Sequence, residues 1–365
     1  RLWLDDFAEF MAIKEHFGNQ ALQKWDDKKA VARDPSALEK YRSMLAEQIQ
    51  YFKVTQYFFF KQWTELKNYA NQKGIQIIGD MPIYVAADSV EVWTKPELFQ
   101  LDEERNPLVV AGVPADQFSA TGQLWGNPLY AWEEHKKQGY AWWIHRIEES
   151  FKIYDVLRID HFKGFSDYWQ VDGKAEVAKD GSWQPGPGYD LFKAVKEQLG
   201  DLPIIAEDLG NIDDKARKLL TDCNYPGMKI LQFGFEDVSG ESLDSPHYCI
   251  PHSIVYTGTH DNDVTNGWYN SLTEQQQQYI NDYTHRHEDE SICQAMIRQL
   301  FATVSNTAIA TMQDVLDLPA SSRMNVPSTI GGNWQWRMQQ SDLTQDKKDF
   351  LEKMTTLYQR ANQEK

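Results

Sequence analysis

The sequence has few cysteines and no segment that predicts export or membrane insertion. Its 365 residues include Cys223, Cys249 and Cys293, and none of them forms a CxxC pair. This usage favours reduced thiols and a cytoplasmic location over a disulfide framework. No apolar run is long enough to span a bilayer, and the first residues do not form a signal peptide. The chain does not start with methionine, which we expect of a piece of a longer protein.

Positive charge is also scarce. There are 37 Lys and Arg residues against 54 Asp and Glu residues, and the formal net charge is -17. Nucleic acids and anionic membranes are bound through clustered basic side chains, so neither is expected as a partner. The sequence also lacks a glycine-rich phosphate loop and a G-x-S-x-G elbow, which argues against nucleotide binding of that type and against a serine hydrolase.

Aromatic residues, by contrast, are plentiful, with 13 Trp, 17 Tyr and 17 Phe. We expect most of these rings in the core, because aromatic side chains bury large areas. Indole and phenol rings also pack on the faces of sugars. An acidic, Trp-rich sequence is therefore compatible with a neutral carbohydrate substrate.

A helical front precedes a series of apolar runs. Leu38, Tyr41 and Leu45 step by three and four, which predicts one face of a helix, and Gly74 stands where the helical front ends. The later runs are apolar without alternation, as strands covered on both faces are. These candidate strands are residues 75–85, 156–162, 202–210, 228–235, 253–263 and, more weakly, 307–315.

Helical stretches separate these strands, and the alternation predicts a parallel α/β fold. We count about six strand–helix units, against the eight of a closed barrel. Residues 1–74 are predicted to be a helical insertion subdomain packed on the barrel, and residues 75–365 the catalytic barrel portion. Within the latter, residues 98–130 are predicted to be a long substrate loop. The predicted helices are 140–154, 190–199 with Asp190 as N-cap, 213–223 and 292–304.

Three acidic residues stand at the ends of three predicted strands. They are Asp160 in RIDHF, Glu207 in AEDLG and Asp261 in THDND. Strand ends of this kind carry the chemistry of α/β barrels, so we expect the three carboxylates to converge. Glycosyl transfer needs one carboxylate to attack the anomeric carbon and a protonated one to release the leaving oxygen. Arg158, two residues before Asp160, is expected on the same strand face, where it would keep Asp160 ionised.

A metal site is the competing use of these residues. Asp160 with His161, and His260 with Asp261 and Asp263, could suggest a metallohydrolase. Adjacent residues of a strand point to opposite faces, so neither His–Asp pair is expected to chelate one ion. We therefore predict no metal and no cofactor.

At these motifs the chain resembles the amylomaltases, the 4-α-glucanotransferases of glycoside hydrolase family 77. The matching stretches occur in the family's order from about Gly79 to Asn325, and the helical front is similar to the family too. They are IIGDMPIYVAADSVEVW, AGVPADQFSATGQLWGNPLY, VLRIDHFKGF, IIAEDLG, PGMKILQF, VYTGTHDND and RMNVPST.

The resemblance implies a (β/α)₈ TIM-type barrel with helical and loop insertions, of which this chain would lack the first two strand–helix units. It implies transfer of α-1,4-glucan segments between maltooligosaccharides, or to glucose, by a retaining double displacement. Asp160 would be the nucleophile, Glu207 the acid/base and Asp261 the transition-state stabiliser. The implied substrate-binding residues are Asp80, Arg158, His260, Asp208, Asn325 and, on the acceptor side, Trp125.

One position departs from the family pattern, and two other functions stay open. Many members carry an aromatic residue where this chain has Gln117, so stacking on a donor glucose would be lost there. The first alternative is an α-amylase-type hydrolase that uses the same carboxylates and differs only in whether water or a sugar hydroxyl accepts the glycosyl group. The second is a non-catalytic sugar-binding protein, since barrel folds are reused without their chemistry.

Overall fold

The computed structural model describes residues 2–115, 121–210 and 212–361, without the side chain of Leu2. Gln117, the departure from the family pattern, lies outside these residues. The chain forms two compact units, Arg1–Tyr225 and Pro226–Lys365, each of which is described by itself. Within the described part of the chain, no helix combines the length and the apolar character needed to cross a membrane.

The helical front predicted from the sequence is present in the first unit. Asp34 caps the third helix by accepting from two backbone N–H groups, and Pro35 occupies its first turn. Trp63 of the fourth helix donates its indole N–H to the carbonyl of Ile153 at 2.8 Å, which ties the front to the helix before the second parallel strand. The helices are α1 (Leu2–His16), α2 (Lys28–Val31), α3 (Pro35–Met44) and α4 (Ala46–Gln72).

A parallel three-stranded sheet carries Asp80 and Arg158 and leads directly into Asp160 and Glu207. Its order is β1 (Ile78–Met81), β4 (Val156–Ile159) and β7 (Ile204–Ala206), and the register pairs Asp80 with Arg158. Leu157, Ile159 and the whole of β7 are buried, as their uninterrupted apolar runs predict. The helices that follow the front are α5 (Val90–Thr94), α6 (Trp132–Lys137), α7 (Ala141–Ile153), α8 (Tyr189–Leu199) and α9 (Asp214–Cys223).

The segment 98–130, predicted as one long loop, contains two strands, and to that extent the prediction is wrong. These strands join two others in an antiparallel sheet of order β3-β2-β5-β6. The strands are short, and one of them contains Gly and Pro, which hid them in the sequence. They are β2 (Val109–Val113), β3 (Gln123–Pro128), β5 (Asp167–Asp172) and β6 (Ser182–Pro185).

The second unit repeats the parallel design. Its sheet has the order β10-β9-β8 and packs on a core that includes Leu231, Val255 and Trp268. The strands are β8 (Gly227–Ile230), β9 (Ser253–Tyr256) and β10 (Thr307–Ile309). The helices are α10 (Leu231–Glu236), α11 (Thr265–Ser271), α12 (Glu274–Thr284), α13 (Ile292–Ala302), α14 (Met312–Val315) and α15 (Gln345–Leu357).

The secondary structure agrees with most of the elements predicted from the sequence. All six predicted parallel strands are present, and the mixed α/β class with parallel sheets is confirmed. The predicted N-cap at Asp190 is wrong, because α8 begins at Tyr189 after Gly188, and Asp190 lies in the first turn, where its side chain pairs with Lys136. Helices α1–α4 fall in the same compact unit as β1–β7, and the division at residue 74 stays a prediction.

Gly79 allows the strand that presents Asp80 to pack closely. A β-carbon at this position would lie 2.1 Å from the ring of Tyr154. We expect Gly79→Ala to lower the free energy of unfolding by roughly 1–3 kcal/mol, because overpacking displaces a packed ring. Denaturant unfolding measures this loss. A second variant with Tyr154→Ala added should lose less than the sum of the two single changes, and simple additivity would contradict the proposed clash.

Candidate active site

The candidate residues of the first unit lie at one end of the parallel sheet. Asp80 belongs to β1, Arg158 to β4, and Asp160 and Glu207 directly follow β4 and β7. Because the three strands are parallel neighbours, their carboxyl ends share one edge of the sheet. The structure therefore brings together four of the residues that were singled out from the sequence.

Arg158 links two of these carboxylates. Its Nη1 lies 2.6 Å from Asp80 Oδ2 and 3.1 Å from Asp160 Oδ1, and the side chain is only 8% exposed. Burial alone would lower the pKa of Arg158, but the charges of Asp80 and Asp160 raise it, so the group stays cationic. A cation held in this position favours the ionised form of Asp160, as a nucleophile requires.

Glu207 is held by the main chain on both oxygens. The N–H of His161 donates to Oε2 at 2.7 Å, and the N–H of Leu209 donates to Oε1 at 2.9 Å. Burial and then the charge of Asp160 raise the pKa of Glu207 to about 7, against the opposing effects of Arg158 and the two N–H groups. Asp160 and Glu207 thus have different surroundings, since Asp160 contacts a guanidinium and Glu207 accepts from two main-chain N–H groups.

Aromatic rings stand beside these carboxylates. Trp125 lies in β3 and is 36% exposed, and it forms a T-shaped pair with the His161 ring, with a centroid distance of 4.9 Å and an interplanar angle of 90°. Tyr84 lies 6.3 Å from Trp125 and 6.5 Å from His161 between ring centroids. A half-exposed indole of this kind offers a flat apolar face to a sugar ring.

Three further candidates, His260, Asp261 and Asn325, lie in the second unit. Asn325 Nδ2 donates to Asp261 Oδ1 at 2.7 Å, and His260 Nε2 lies 3.2 Å from Asp261 Oδ2. Arg323 donates to the carbonyl oxygens of Asp261 at 2.7 Å and Asn325 at 2.8 Å, so one guanidinium joins the two segments. Three predicted residues are therefore in contact around the Asp261 carboxylate.

Strand geometry does not support the prediction that neither His–Asp pair chelates one ion. That prediction assumed that the two residues lie in a strand, but β4 ends at Ile159 and β9 ends at Tyr256. Strand alternation therefore does not separate His260 from Asp261, which are in contact. Among the residues with described positions, one group of His, Asp, Glu or Cys side chains has metal-ligand geometry, and it contains none of the candidate residues. It consists of His145, Glu148 and Glu149 of α7.

Three residues in contact with the candidates were not predicted in that role from the sequence. Arg323 and the ring of His161 are visible only through long-range contacts. Trp334 is 52% exposed, has a positive φ of 62° and lies 5.0 Å from His260 between ring centroids. The signal for Trp334 was the Gly-Gly-Asn-Trp sequence, which is typical of a tight turn. Asp208 is half-buried next to Glu207, and its role in substrate binding stays a prediction.

Parallel α/β units that present an Asp in contact with Arg and a half-buried Glu of raised pKa define an enzyme class equipped for glycosyl chemistry. A family model described as 4-alpha-glucanotransferase matches residues 1–344. The chain belongs to this family, glycoside hydrolase family 77.

Relatives and a solved structure agree with this membership. The chain is 53% identical to a 4-alpha-glucanotransferase of Streptococcus pneumoniae over 362 residues, 99% of this chain and 72% of the relative. It is 42% identical to a 4-alpha-glucanotransferase of Clostridium butyricum, over 98% of this chain and 74% of the relative. The fold matches an amylomaltase from Streptococcus agalactiae in complex with acarbose with a TM-score of 0.97 and 60% identity, over 99% of this chain and 73% of that chain.

Proposed function

We propose that this protein is a 4-α-glucanotransferase that moves α-1,4-glucan segments between maltooligosaccharides, or to glucose, through a covalent glycosyl-enzyme. Two carboxyl groups at the ends of adjacent strands carry the proposal. Asp160 contacts Arg158, and the pKa of Glu207 is raised to about 7. A retaining mechanism requires two such groups, one ionised carboxylate as the nucleophile and one protonated carboxyl group as the acid. No cofactor is needed for these steps.

The two chemical steps follow from this pairing. In the first, an Asp160 oxygen bonds to the anomeric carbon and the glycosidic C–O bond breaks. Glu207 gives its proton to the departing glycosidic oxygen, which leaves as a sugar hydroxyl. In the second, Glu207 takes a proton from the 4-OH of an acceptor glucan, that oxygen bonds to the anomeric carbon, and the bond to Asp160 breaks. Two inversions at one carbon give net retention of the α configuration.

The other candidates bind or stabilise the sugar in this proposal. Asp80 and Arg158 would hold the glucosyl ring beside the scissile bond, and the family pattern adds His260, Asn325 and Asp208 to the substrate contacts. Trp125 would stack on the acceptor. Asp261 would stabilise the positive charge that develops on the sugar ring, a role supported by the contacts from Asn325 and His260 that fix both its carboxylate oxygens.

Incubation with maltotriose tests the transferase against the hydrolase. A transferase converts maltotriose into a ladder of longer and shorter maltooligosaccharides with free glucose, while the number of reducing ends stays constant. A hydrolase of the α-amylase type yields only shorter sugars, and the number of reducing ends rises. A protein that binds maltotriose without any turnover would support the non-catalytic alternative instead.

The pH dependence of the rate is a second test. Glu207 must be protonated in the first step, so we expect the alkaline limb of the kcat/KM profile to fall near the pKa of about 7. Asp160 must be ionised, so activity should also fall on the acidic side, which gives a bell shape. Initial rates between pH 4 and 9, roughly the span in which carboxyl groups with raised pKa titrate, measure both limbs. A rate that stays constant from neutral to alkaline pH would contradict Glu207 as the acid.

We further propose that both parallel sheets belong to a (β/α)₈ barrel. Among the residues that the structure describes, β1 pairs with β4 alone and β10 with β9 alone, and Ile78 of β1 is 41% exposed. Parallel strands are normally covered on both faces and edges, so two further strand–helix units are expected to close the barrel. Helix α4 supports this with exposed apolar side chains, namely Tyr51, Tyr57, Phe58, Leu66 and Tyr69. A full-length structure with another arrangement at β1 would refute it.

A further inference from the structure

His161 has an unusual backbone conformation directly after the proposed nucleophile. Its φ and ψ are both 51°, in the left-handed region that non-glycine residues seldom adopt. β4 ends at Ile159, and the 3-10 helix Phe162–Phe165 begins after His161. Non-glycine residues keep a left-handed backbone conformation where their surroundings hold them in it, and such residues are frequent at active sites. The contacts around His161 must therefore hold its backbone in this conformation.

The left-handed turn directs the main chain toward Glu207. The N–H of His161 donates to Glu207 Oε2 at 2.7 Å, and the N–H of Phe162 donates to the Glu207 carbonyl oxygen at 3.0 Å. The N–H of Glu207 in turn donates to the carbonyl oxygen of Ile159 at 3.0 Å. The same short segment thus fixes both the backbone and the carboxylate of Glu207.

The imidazole of His161 has a separate set of contacts. Its plane is perpendicular to that of Trp125 at a centroid distance of 4.9 Å, and the centroid of the Tyr84 ring lies 6.5 Å away. A β-carbon on Gly164 would lie 2.9 Å from the imidazole Cδ2, so the turn leaves the ring little room to move. Burial, with a smaller effect from Lys163, lowers the pKa of His161 to about 4, so the ring is neutral at physiological pH and acts by packing.

From these two sets of contacts, we propose that His161 is a positioning residue that couples the acid/base Glu207, through its backbone N–H, to the acceptor platform Trp125, through its ring. This inference rests on the function proposed above and deepens it. The residue would set both the protonation of Glu207 and the orientation of the indole on which an acceptor sugar stacks. Its backbone and its side chain have different tasks, so substitutions can separate them.

The backbone task is tested with His161→Val, in the full-length protein. A β-branched residue resists the left-handed conformation, so the N–H should move away from Glu207 Oε2. The charged groups that act on Glu207 are Asp160, which raises its pKa, and Arg158, which lowers it, and both remain. Loss of a donor to a carboxylate raises its pKa, so the alkaline limb of kcat/KM should move up by about one pH unit.

The side-chain task is tested with His161→Gly and His161→Asn. Both residues tolerate the left-handed conformation and keep the N–H in place, but both lack the imidazole. We expect the alkaline limb to stay where it is in the unsubstituted protein, while the KM for glucose as acceptor rises about fivefold to tenfold because Trp125 is no longer held. His145→Asn on α7 is the matched control and should change neither quantity.

These outcomes separate the inference from a general loss of structure. If His161 had a purely structural role, His161→Val would lower the melting temperature and kcat without shifting the alkaline limb of the kcat/KM profile. That result would overturn the proposal. If His161→Val does not fold, His161→Ala replaces it and is compared with His161→Gly, since both lack the ring and only glycine adopts the left-handed region freely. If the alkaline limb falls at the same pH in His161→Ala and His161→Gly, the proposal is overturned. An unchanged KM for the acceptor in His161→Gly would overturn it as well. If the unsubstituted protein fails to disproportionate maltotriose, the proposed function fails first.

Discussion

Replacing Asp160 by Asn is expected to abolish transfer, with a loss of at least about 10³-fold in kcat, because no carboxylate remains to form the glycosyl-enzyme. The substitution keeps the size of the side chain and an oxygen that can accept from Arg158 Nη1, which lies 3.1 Å away in the native protein. Binding of maltooligosaccharides should therefore persist. Single-turnover assays with maltotriose measure the loss, and affinity electrophoresis in glucan-containing gels measures the binding.

Asp155 provides the matched control for this variant. It lies just before β4, at the opposite end of the strand from Asp160, and it accepts from Asn71 and from the N–H of Ile77 and pairs with Lys67. Asp155→Asn should lower the melting temperature and leave most of kcat intact, since its contacts are structural. An Asp160→Asn protein that keeps more than about a tenth of the native kcat would rule out Asp160 as the nucleophile.

Replacing Glu207 by Gln should have an effect that depends on the leaving group. The amide cannot donate the proton that a departing sugar hydroxyl needs, so kcat on maltotriose should fall by about 10²–10⁴-fold. A glucosyl donor with fluoride as leaving group needs little protonation, so formation of the glycosyl-enzyme from α-maltosyl fluoride should be much less affected. Parallel rate measurements with the two donors give this ratio.

Glu236 is a suitable control, because burial raises its pKa as well and yet it is no candidate for catalysis. Glu236→Gln is expected to leave the rates on both donors close to native values. An equal loss on maltotriose and on maltosyl fluoride in Glu207→Gln would show that the carboxyl group does not act as the acid. In that case its raised pKa would be a consequence of burial alone.

Much of the parallel architecture could be predicted because it depends on local pattern. Uninterrupted apolar runs such as Ile204–Ala206 are typical of strands covered on both faces, and polar residues that follow them mark the functional edge. The contact between Arg158 and Asp160 was also predicted from their spacing of two, although β4 ends at Ile159 and Asp160 lies just beyond it. These features need only the sequence of a few neighbouring residues.

The features that could not be predicted depend on distant parts of the chain. Strand β3 contains Gly and Pro and exists because it pairs with β2, which no local pattern indicates. The contact of Arg323 with Asp261 spans 62 residues. The left-handed backbone of His161 has no signature in its residue type, since it is held by the turn around it. Tertiary contacts decided each of these cases.

The central claim is that Asp160 forms the bond to the sugar while Glu207 handles the proton, and trapping the intermediate tests this most directly. Glu207→Gln protein treated with α-maltosyl fluoride should form the glycosyl-enzyme faster than it can be discharged to an acceptor. Intact-mass spectrometry should then show one maltosyl group per chain, and peptide mapping should place it on Asp160. An adduct on any other residue, or fast turnover of the fluoride without an adduct in the presence of excess donor, would contradict the account.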